Sequence, residues 1–302
     1  MLITTKLFIM NYQITVQPQV LKIIPPFLSY SSKDNFYAFD MDGTLIQTKG
    51  KSRFAVNADD WKWFKPKKTQ PYHHENMFSL IVSILKKDPR AKVVIFSNQG
   101  GIRPMNFGVN ASFSPTRFDK FDCKAHLDKN LLVFIEKVMN ILKFFYDELA
   151  EERVLFYCSF KSPMPKNETE RKLYANQKNS SLDKIIKNKD AQAKEQNGPK
   201  FLHDIQDCRT TYKNHEVFIN QFDSLNEMKL NYILDFPNFR KPNTGMLEEF
   251  HRDIDQEDAI LYYVGDAAGR RGDFSDSDMK FANNGNLEFY TPEELFSKYP
   301  TK

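Results

Sequence analysis

Two carboxylates one residue apart, Asp40 and Asp42, follow the apolar run Phe36-Tyr37-Ala38-Phe39 and precede Gly43 and Thr44. Residues i and i+2 of an extended chain point the same way, so both acids leave the strand end toward one small volume. Two anions that close are costly unless a cation or a shared proton offsets them. Gly43 lets the backbone turn at once. The pair reads either as an exposed acidic turn or as a nucleophile and its acid/base partner around Mg²⁺. The other motifs decide between the two.

After the run Lys92 to Phe96 come Ser97-Asn98-Gln99-Gly100-Gly101. A hydroxyl at a strand end followed by exposed amides suits a phosphate oxygen, although the same letters also make an ordinary turn. Phe239-Arg240-Lys241-Pro242-Asn243-Thr244-Gly245-Met246 sets a lysine before a proline that is expected to open a helix. A fixed lysine there can neutralise an acyl-phosphate and nearby carboxylates; a basic pair before proline is otherwise surface decoration. The run Ala259 to Val264 ends in Gly265-Asp266, which adds a third carboxylate at a strand end. Asp273 and Asp276 read as solvated loop acids, and Asp278 as the cap of the helical turn that it opens.

These motifs need elements that bring them together. Strands are expected at Asn35 to Phe39, Lys92 to Ser97, Arg153 to Cys158 and Ala259 to Val264, each built on an unbroken run of apolar residues. Between them, Glu75 to Lys87 and Leu131 to Leu149 carry apolar residues at helical spacing. Apolar strands alternating with helices indicate an α/β chain with a parallel sheet covered on both faces. In such sheets the ligand site lies beyond the carboxyl ends of the strands, where the motifs sit.

The chain has 302 residues, 41% of them apolar and 14% aromatic, enough for a sizeable core. A net charge of +4 does not imply a strongly basic nucleic-acid coat. Three widely spaced cysteines, Cys123, Cys158 and Cys208, argue against a disulfide framework or a zinc site and suit a reducing compartment. No apolar run approaches the ~20 residues needed to span a membrane. Residues 1–33 are expected to form an N-terminal arm without regular structure, and residues 34–302 one domain. That domain is interrupted at about 161–230 by a polar, mobile insertion whose Lys/Asn/Gln-rich composition cannot offset the entropy of ordering.

Taken in order, Asp-x-Asp, Ser, Lys and Gly-Asp resemble the haloacid dehalogenase superfamily of phosphohydrolases. The wording is most similar to the phosphatase domain of polynucleotide kinase 3′-phosphatase and its stand-alone fungal relatives. The residues that carry the resemblance are Phe39 to Ile46, Ile95 to Gln99, Arg240 to Met246 and Val264 to Arg270, with Asp60-Trp61 and Asp273-Phe274-Ser275 also fitting. It covers about residues 35–160 and 232–297. The resemblance implies a Rossmann-like haloacid dehalogenase fold with no large cap domain.

It also implies roles. Asp40 would be the nucleophile that forms an aspartyl-phosphate, and Asp42 the general acid and then base. Mg²⁺ would be held by Asp40, the Asp42 backbone carbonyl and Asp266. Ser97 and Lys241 would hold phosphate oxygens, with Asp278 and Asn98 in support. Arg103, Arg240 and Arg270 would contact a DNA end. The implied activity is removal of a 3′-phosphate from DNA strand-break ends, in the nucleus; a monomer is expected because one active site and an accessible end suffice. The rivals are a small-molecule phosphatase acting on histidinol phosphate or a sugar phosphate, a protein phosphatase, and a catalytically silent DNA-end-binding protein. Gly50-Lys51-Ser52 lacks the first glycine of a phosphate-binding loop, since Leu45 stands there, so no use of ATP as a 5′-kinase is expected. With so few residues before Asn35 in this sequence, no phosphopeptide-binding domain is expected.

Overall fold

A computed structural model describes residues 10–25, 31, 33–52, 55, 57–67, 74–104, 127–161, 208–212, 215–219 and 238–299. Strand β1 is Gln13–Val16, β2 Val20–Ile24, β3 Asn35–Phe39, β4 Ile46–Gln47 and β5 Lys62–Trp63. Then come helix α1 (Met77–Lys87), β6 (Ala91–Asn98), helix α2 (Lys129–Leu149), β7 (Val154–Ser159), β8 (Cys208–Tyr212) and β9 (His215–Ile219). Helix α3 (Gly245–Ile254), β10 (Ile260–Val264), helix α4 (Ser277–Asn284), β11 (Phe289–Tyr290) and helix α5 (Pro292–Lys298) close the described chain.

Among the described residues nine strands make the main sheet, in the order β11-β10-β3-β6-β7-β2-β1-β9-β8. From β11 to β7 every neighbour is parallel. Alternate strand residues face opposite helical layers, as the two-residue period of a strand requires. Phe39, Val93, Ile95, Phe156, Tyr262 and Val264 pack with α1, α2 and α5. Phe36, Ala38, Val94, Phe96, Leu155 and Tyr263 pack with α3 and α4. On that second face Phe250 meets Phe36, Phe96 and Tyr157 at ring-centroid distances of 5.0, 5.8 and 5.9 Å. Each fully buried aromatic of this kind contributes about 1.5–3 kcal/mol. The α/β fold with a mostly parallel sheet flanked by helices is the expected one.

Helix ends are set by local chemistry. Asn76 caps α1 by accepting from Ser79 N at 3.0 Å, and Asp128 caps α2 by accepting from Asn130 N at 2.8 Å. Thr291 and Glu294 form a capping box on α5.

Three expectations need correction. The N-terminal segment is not an unstructured arm between residues 13 and 24. There β1 and β2 extend the sheet beyond β7, with Ile14, Val16, Val20, Leu21 and Ile23 buried. Lys22 of β2 is buried against Glu249 at 2.8 Å and Asp253 at 2.9 Å. The polar insertion is not irregular between 208 and 219, where β8 and β9 form an antiparallel pair and β9 lies parallel to β1. The rest of 162–207 and 220–230 lies outside the described residues. Finally, Pro242 does not open a helix. The Lys241-Pro242 bond is cis and α3 begins at Gly245.

Chain order places the site. From β3 the chain proceeds to β6 and β7 on one side, and later returns to β10 and β11 on the other. The crevice beyond the carboxyl end of β3 is therefore a topological switch point, where open α/β sheets bind ligands.

Candidate active site

The carboxyl end of β3 is anchored by Asp40 N donating to Val264 O of β10 at 2.8 Å. The chain then turns, with Leu45 N and Ile46 N both donating to Met41 O at 3.0 Å. Gly43 has φ of +90°, and a Cβ there would lie 2.4 Å from Asp266 Oδ2. Glycine is required on both counts, and its absent side chain is what admits the Asp266 carboxylate. Asp40 is buried and Asp42 half-buried.

Lys241 arrives from the loop before α3 and is positioned by its own backbone. Its N–H donates to Asn98 Oδ1 and its carbonyl accepts from Asn98 Nδ2, each at 3.0 Å. Ser159 Oγ donates to the same Asn98 Oδ1 at 2.9 Å. The ammonium then reaches Asp40 Oδ1 at 2.6 Å, Asp278 Oδ1 at 2.7 Å, Tyr263 OH at 2.8 Å and Phe96 O at 2.9 Å.

Asp278 carried two readings, a helix cap and a residue in support of the site. It lies in the first turn of α4, yet its side chain does not cap that helix. Oδ1 accepts from Lys241 and from Tyr263 OH at 2.9 Å, while Oδ2 accepts from Ala267 N at 3.0 Å. The side chain points back across the sheet edge because a buried ammonium rewards it more than exposed helix amides do. Asp273, read as a solvated loop acid, instead accepts from Ala268 N at 3.1 Å and Arg270 N at 2.9 Å and so closes the loop after β10. Asp276 does sit at the surface, paired with Lys280 at 2.7 Å.

Asp40, Asp266 and Asp278 bring one carboxylate oxygen each to within 4.8 Å of one another. Burial, together with the charges of Asp278 and Asp266, pushes the Asp40 carboxyl well above the usual carboxylate range, against the pull of Lys241. Burial works to lower the Lys241 ammonium, but contacts with Asp278 and Asp40 outweigh it and raise the group. A donor set made only of oxygens fits a hard divalent cation, which would favour the ionised form of Asp40.

The second carboxylate of the opening pair has its own partners. Asp42 Oδ2 accepts from Gln99 Nε2 at 2.6 Å, and Oδ1 from Lys137 Nζ at 3.4 Å. Gln99 Nε2 also reaches Ser97 Oγ at 2.9 Å, so Ser97 and Asp42 sit on one network. All these groups open into a cavity of 820 Å³.

Eight of the residues singled out in the sequence line that cavity: Asp40, Asp42, Ser97, Asn98, Arg240, Lys241, Asp266 and Asp278. Arg240 also donates to Phe160 O at 3.1 Å. Arg103 is exposed beside Ile102, a lining residue, but is not itself in the wall. Arg270 lies outside the cavity and holds Asp273 Oδ2 at 3.0 Å, Glu293 at 3.3 Å and Asp266 O at 3.3 Å. Sequence reasoning quoted Gln99 within a motif but gave it no role, and it missed Lys137 and Tyr263. Lys137 carried a signal, since it occupies the apolar stripe of α2 at i+3 from Phe134 and is 5% exposed. Tyr263 carried none, being one more aromatic in an apolar strand.

Comparison with known proteins is consistent with this geometry. The family model described as polynucleotide kinase 3 phosphatase matches residues 35–296. A polynucleotide 3′-phosphatase of Saccharomyces cerevisiae is 30% identical over 305 residues, covering 95% of this chain and 99% of that protein. One from Saccharomyces mikatae is 28% identical over 305 residues, covering 95% and 96%. A bifunctional polynucleotide phosphatase/kinase of Schizosaccharomyces pombe is 48% identical over 60 residues, 19% of this chain and 15% of that protein. The chain belongs to the polynucleotide kinase 3 phosphatase family and is a phosphatase.

Proposed function

We propose that this member of the family removes the terminal phosphate from 3′-phosphorylated DNA ends, as a Mg²⁺-dependent enzyme working through an aspartyl-phosphate. The observation that carries the reading is the pairing of Asp40 with Lys241 at 2.6 Å, next to Asp266 and Asp278, on the wall of an open cavity. The names of its full-length relatives support the substrate.

In the first step Asp40 Oδ forms a bond to phosphorus as the bond to the 3′-oxygen breaks. Asp42 gives its proton to that leaving oxygen. In the second step Asp42 takes a proton from water, whose oxygen attacks phosphorus, and the acyl-phosphate bond breaks to return Asp40 and release inorganic phosphate. Gln99 and Lys137 aim the Asp42 carboxylate, since between them they engage both of its oxygens. Ser97 and Lys241 steady the non-bridging oxygens. Asp278, with both oxygens committed to Lys241, Tyr263 and Ala267 N, orients Lys241 rather than a cation. Asp40, Asp266 and the Asp42 backbone carbonyl would hold Mg²⁺, which supplies Lewis-acid stabilisation of the phosphoryl charge. Arg240, in the cavity wall, is the better placed of the three arginines for a DNA phosphate. Action on strand-break ends, residence in the nucleus and a monomeric state belong to the same proposal.

The test offers purified protein matched 3′- and 5′-phosphorylated oligonucleotides, with Mg²⁺ and with EDTA. Release of phosphate from the 3′ end only, and only with Mg²⁺, is expected. Turnover of sugar phosphates with neither oligonucleotide touched would sink the substrate reading.

A further inference from the structure

Two lysines line the cavity, and they differ in how fully their donors are used. Lys241 Nζ has four oxygen neighbours at 2.6–2.9 Å for its three N–H donors. Lys137 Nζ, on a side chain 7% exposed, has one among the described residues: Asp42 Oδ1, at the long distance of 3.4 Å. Its other neighbour is the Phe134 ring, 5.3 Å from the ammonium. A buried ammonium with donors to spare is costly until an anion reaches it. Asn130, Val133, Phe134 and Lys137 recur at i, i+3, i+4 and i+7 of α2, so one face of that helix is cavity wall. The two oxygens of Asp42 are also held unequally. Oδ2 accepts from Gln99 Nε2 at 2.6 Å, whereas Oδ1 has the long contact with Lys137. Oδ2 is therefore the accepting oxygen of the protonated acid, and Oδ1 the one that carries the proton. A third oxygen at about 2.8 Å from both Oδ1 and Nζ closes a triangle on their 3.4 Å edge.

Resting on the substrate reading above, we infer that Lys137 is a catalytic residue of the first step, donating a hydrogen bond to the 3′-oxygen as it leaves. The bond from Asp40 to phosphorus forms, the bond from phosphorus to the 3′-oxygen breaks, and its electron pair stays on that oxygen. The proton comes from Asp42 Oδ1. Lys137 keeps all of its own and stabilises the developing charge until the transfer is complete. It thus does more than aim Asp42, which Gln99 already holds by the other oxygen.

The experiment compares wild type with Lys137→Met on two oligonucleotides with Mg²⁺. One ends in an ordinary 3′-phosphate and the other in a 3′-S-phosphorothiolate, in which sulfur replaces the leaving oxygen. A thiol has a pKa of about 8.5, so its thiolate leaves without needing the proton or the ammonium. Single-turnover rapid quench, with protein in excess, reads formation of the phosphoenzyme as loss of substrate and its breakdown as release of inorganic phosphate. On the oxygen substrate Lys137→Met slows formation by about 100- to 1,000-fold. On the sulfur substrate most of that loss disappears, and breakdown proceeds close to the wild-type rate. Equal slowing on both substrates, the sign of a lysine that holds a non-bridging oxygen or of a damaged fold, overturns the role and leaves the substrate reading standing. Breakdown slowed as much as formation on the oxygen substrate, the sign of a lysine that only aims Asp42, does the same. Wild type inactive on both oligonucleotides but active on glycerol phosphate removes the substrate reading, and the leaving-group role with it.

Discussion

Replacing Lys241 by methionine keeps the length of the side chain and deletes its charge. The ammonium is 2% exposed and is shared among Asp40, Asp278, Tyr263 OH and Phe96 O. Its loss leaves two carboxylates, 10% and 2% exposed, with their main counter-charge gone. Removing one partner of a buried ion pair costs about 3–5 kcal/mol. At about 2–4 °C per kcal/mol for a domain of this size class, the melting temperature falls by about 6–20 °C. Part of that loss is recoverable: in Lys241→Met combined with Asp278→Asn, one stranded charge is gone too, and the double variant melts above the single one. Calorimetry of wild type, single and double variants in EDTA provides the numbers, and activity is lost in both variants. A single variant that loses under about 1 kcal/mol, as a solvent-exposed pair would, refutes the claim that this ammonium is what makes the acidic cluster tolerable.

Other consequences can be measured independently. Gly43→Ala must displace Asp266, since the new Cβ would lie 2.4 Å from its Oδ2; a loss of about 100-fold in kcat/KM with a raised Mg²⁺ requirement is expected, and wild-type kinetics would contradict the close approach. Ile14→Ala removes a fully buried side chain in register with Ile23 and Val217 and should cost about 2–5 kcal/mol in urea unfolding; a change below about 0.5 kcal/mol, typical of surface sites, would remove β1 from the sheet. The raised Asp40 carboxyl binds its proton more tightly folded than unfolded. Its stabilising effect is therefore complete below the unfolded value of about pH 4 and is lost as pH rises through the folded one. Mg²⁺ should consequently raise the melting temperature more at about pH 8 than at about pH 5, because the cation binds the ionised form. A shift independent of pH contradicts that assignment.

How much was legible follows the range of the forces involved. The strands β3, β6, β7 and β10 are continuous apolar runs, and both long helices show their stripe in the local spacing. The motif residues could be placed at strand ends because the chain turns polar there. What escaped depended on partners far along the chain. Lys22 carries no local sign that Glu249 and Asp253, more than 220 residues away, will pair with it. For Asp278 a helix cap was the local alternative to a supporting role, because nothing nearby in the chain announces that Lys241 and Tyr263 will face it. The pair β8 and β9 sits in a stretch whose Lys/Asn-rich flanks masked two runs of β-branched and aromatic residues, Cys208–Tyr212 and His215–Ile219. Arg270 was assigned to DNA through the resemblance, and nothing local announced that its guanidinium also pairs with Asp273 and Glu293.

The central claim is that Asp40 itself takes the phosphoryl group. Its most direct test is rapid acid quench of the protein turning over a 3′-³²P-labelled oligonucleotide with Mg²⁺, followed by peptide mapping. The Asp42→Asn variant is carried alongside, because losing the base that activates water prolongs the second step. The account predicts label on the peptide containing Asp40, more of it in Asp42→Asn, and none in Asp40→Asn, which keeps its fold but loses turnover. Label on another residue such as Ser97, or release of phosphate by Asp40→Asn at the wild-type rate, would contradict it.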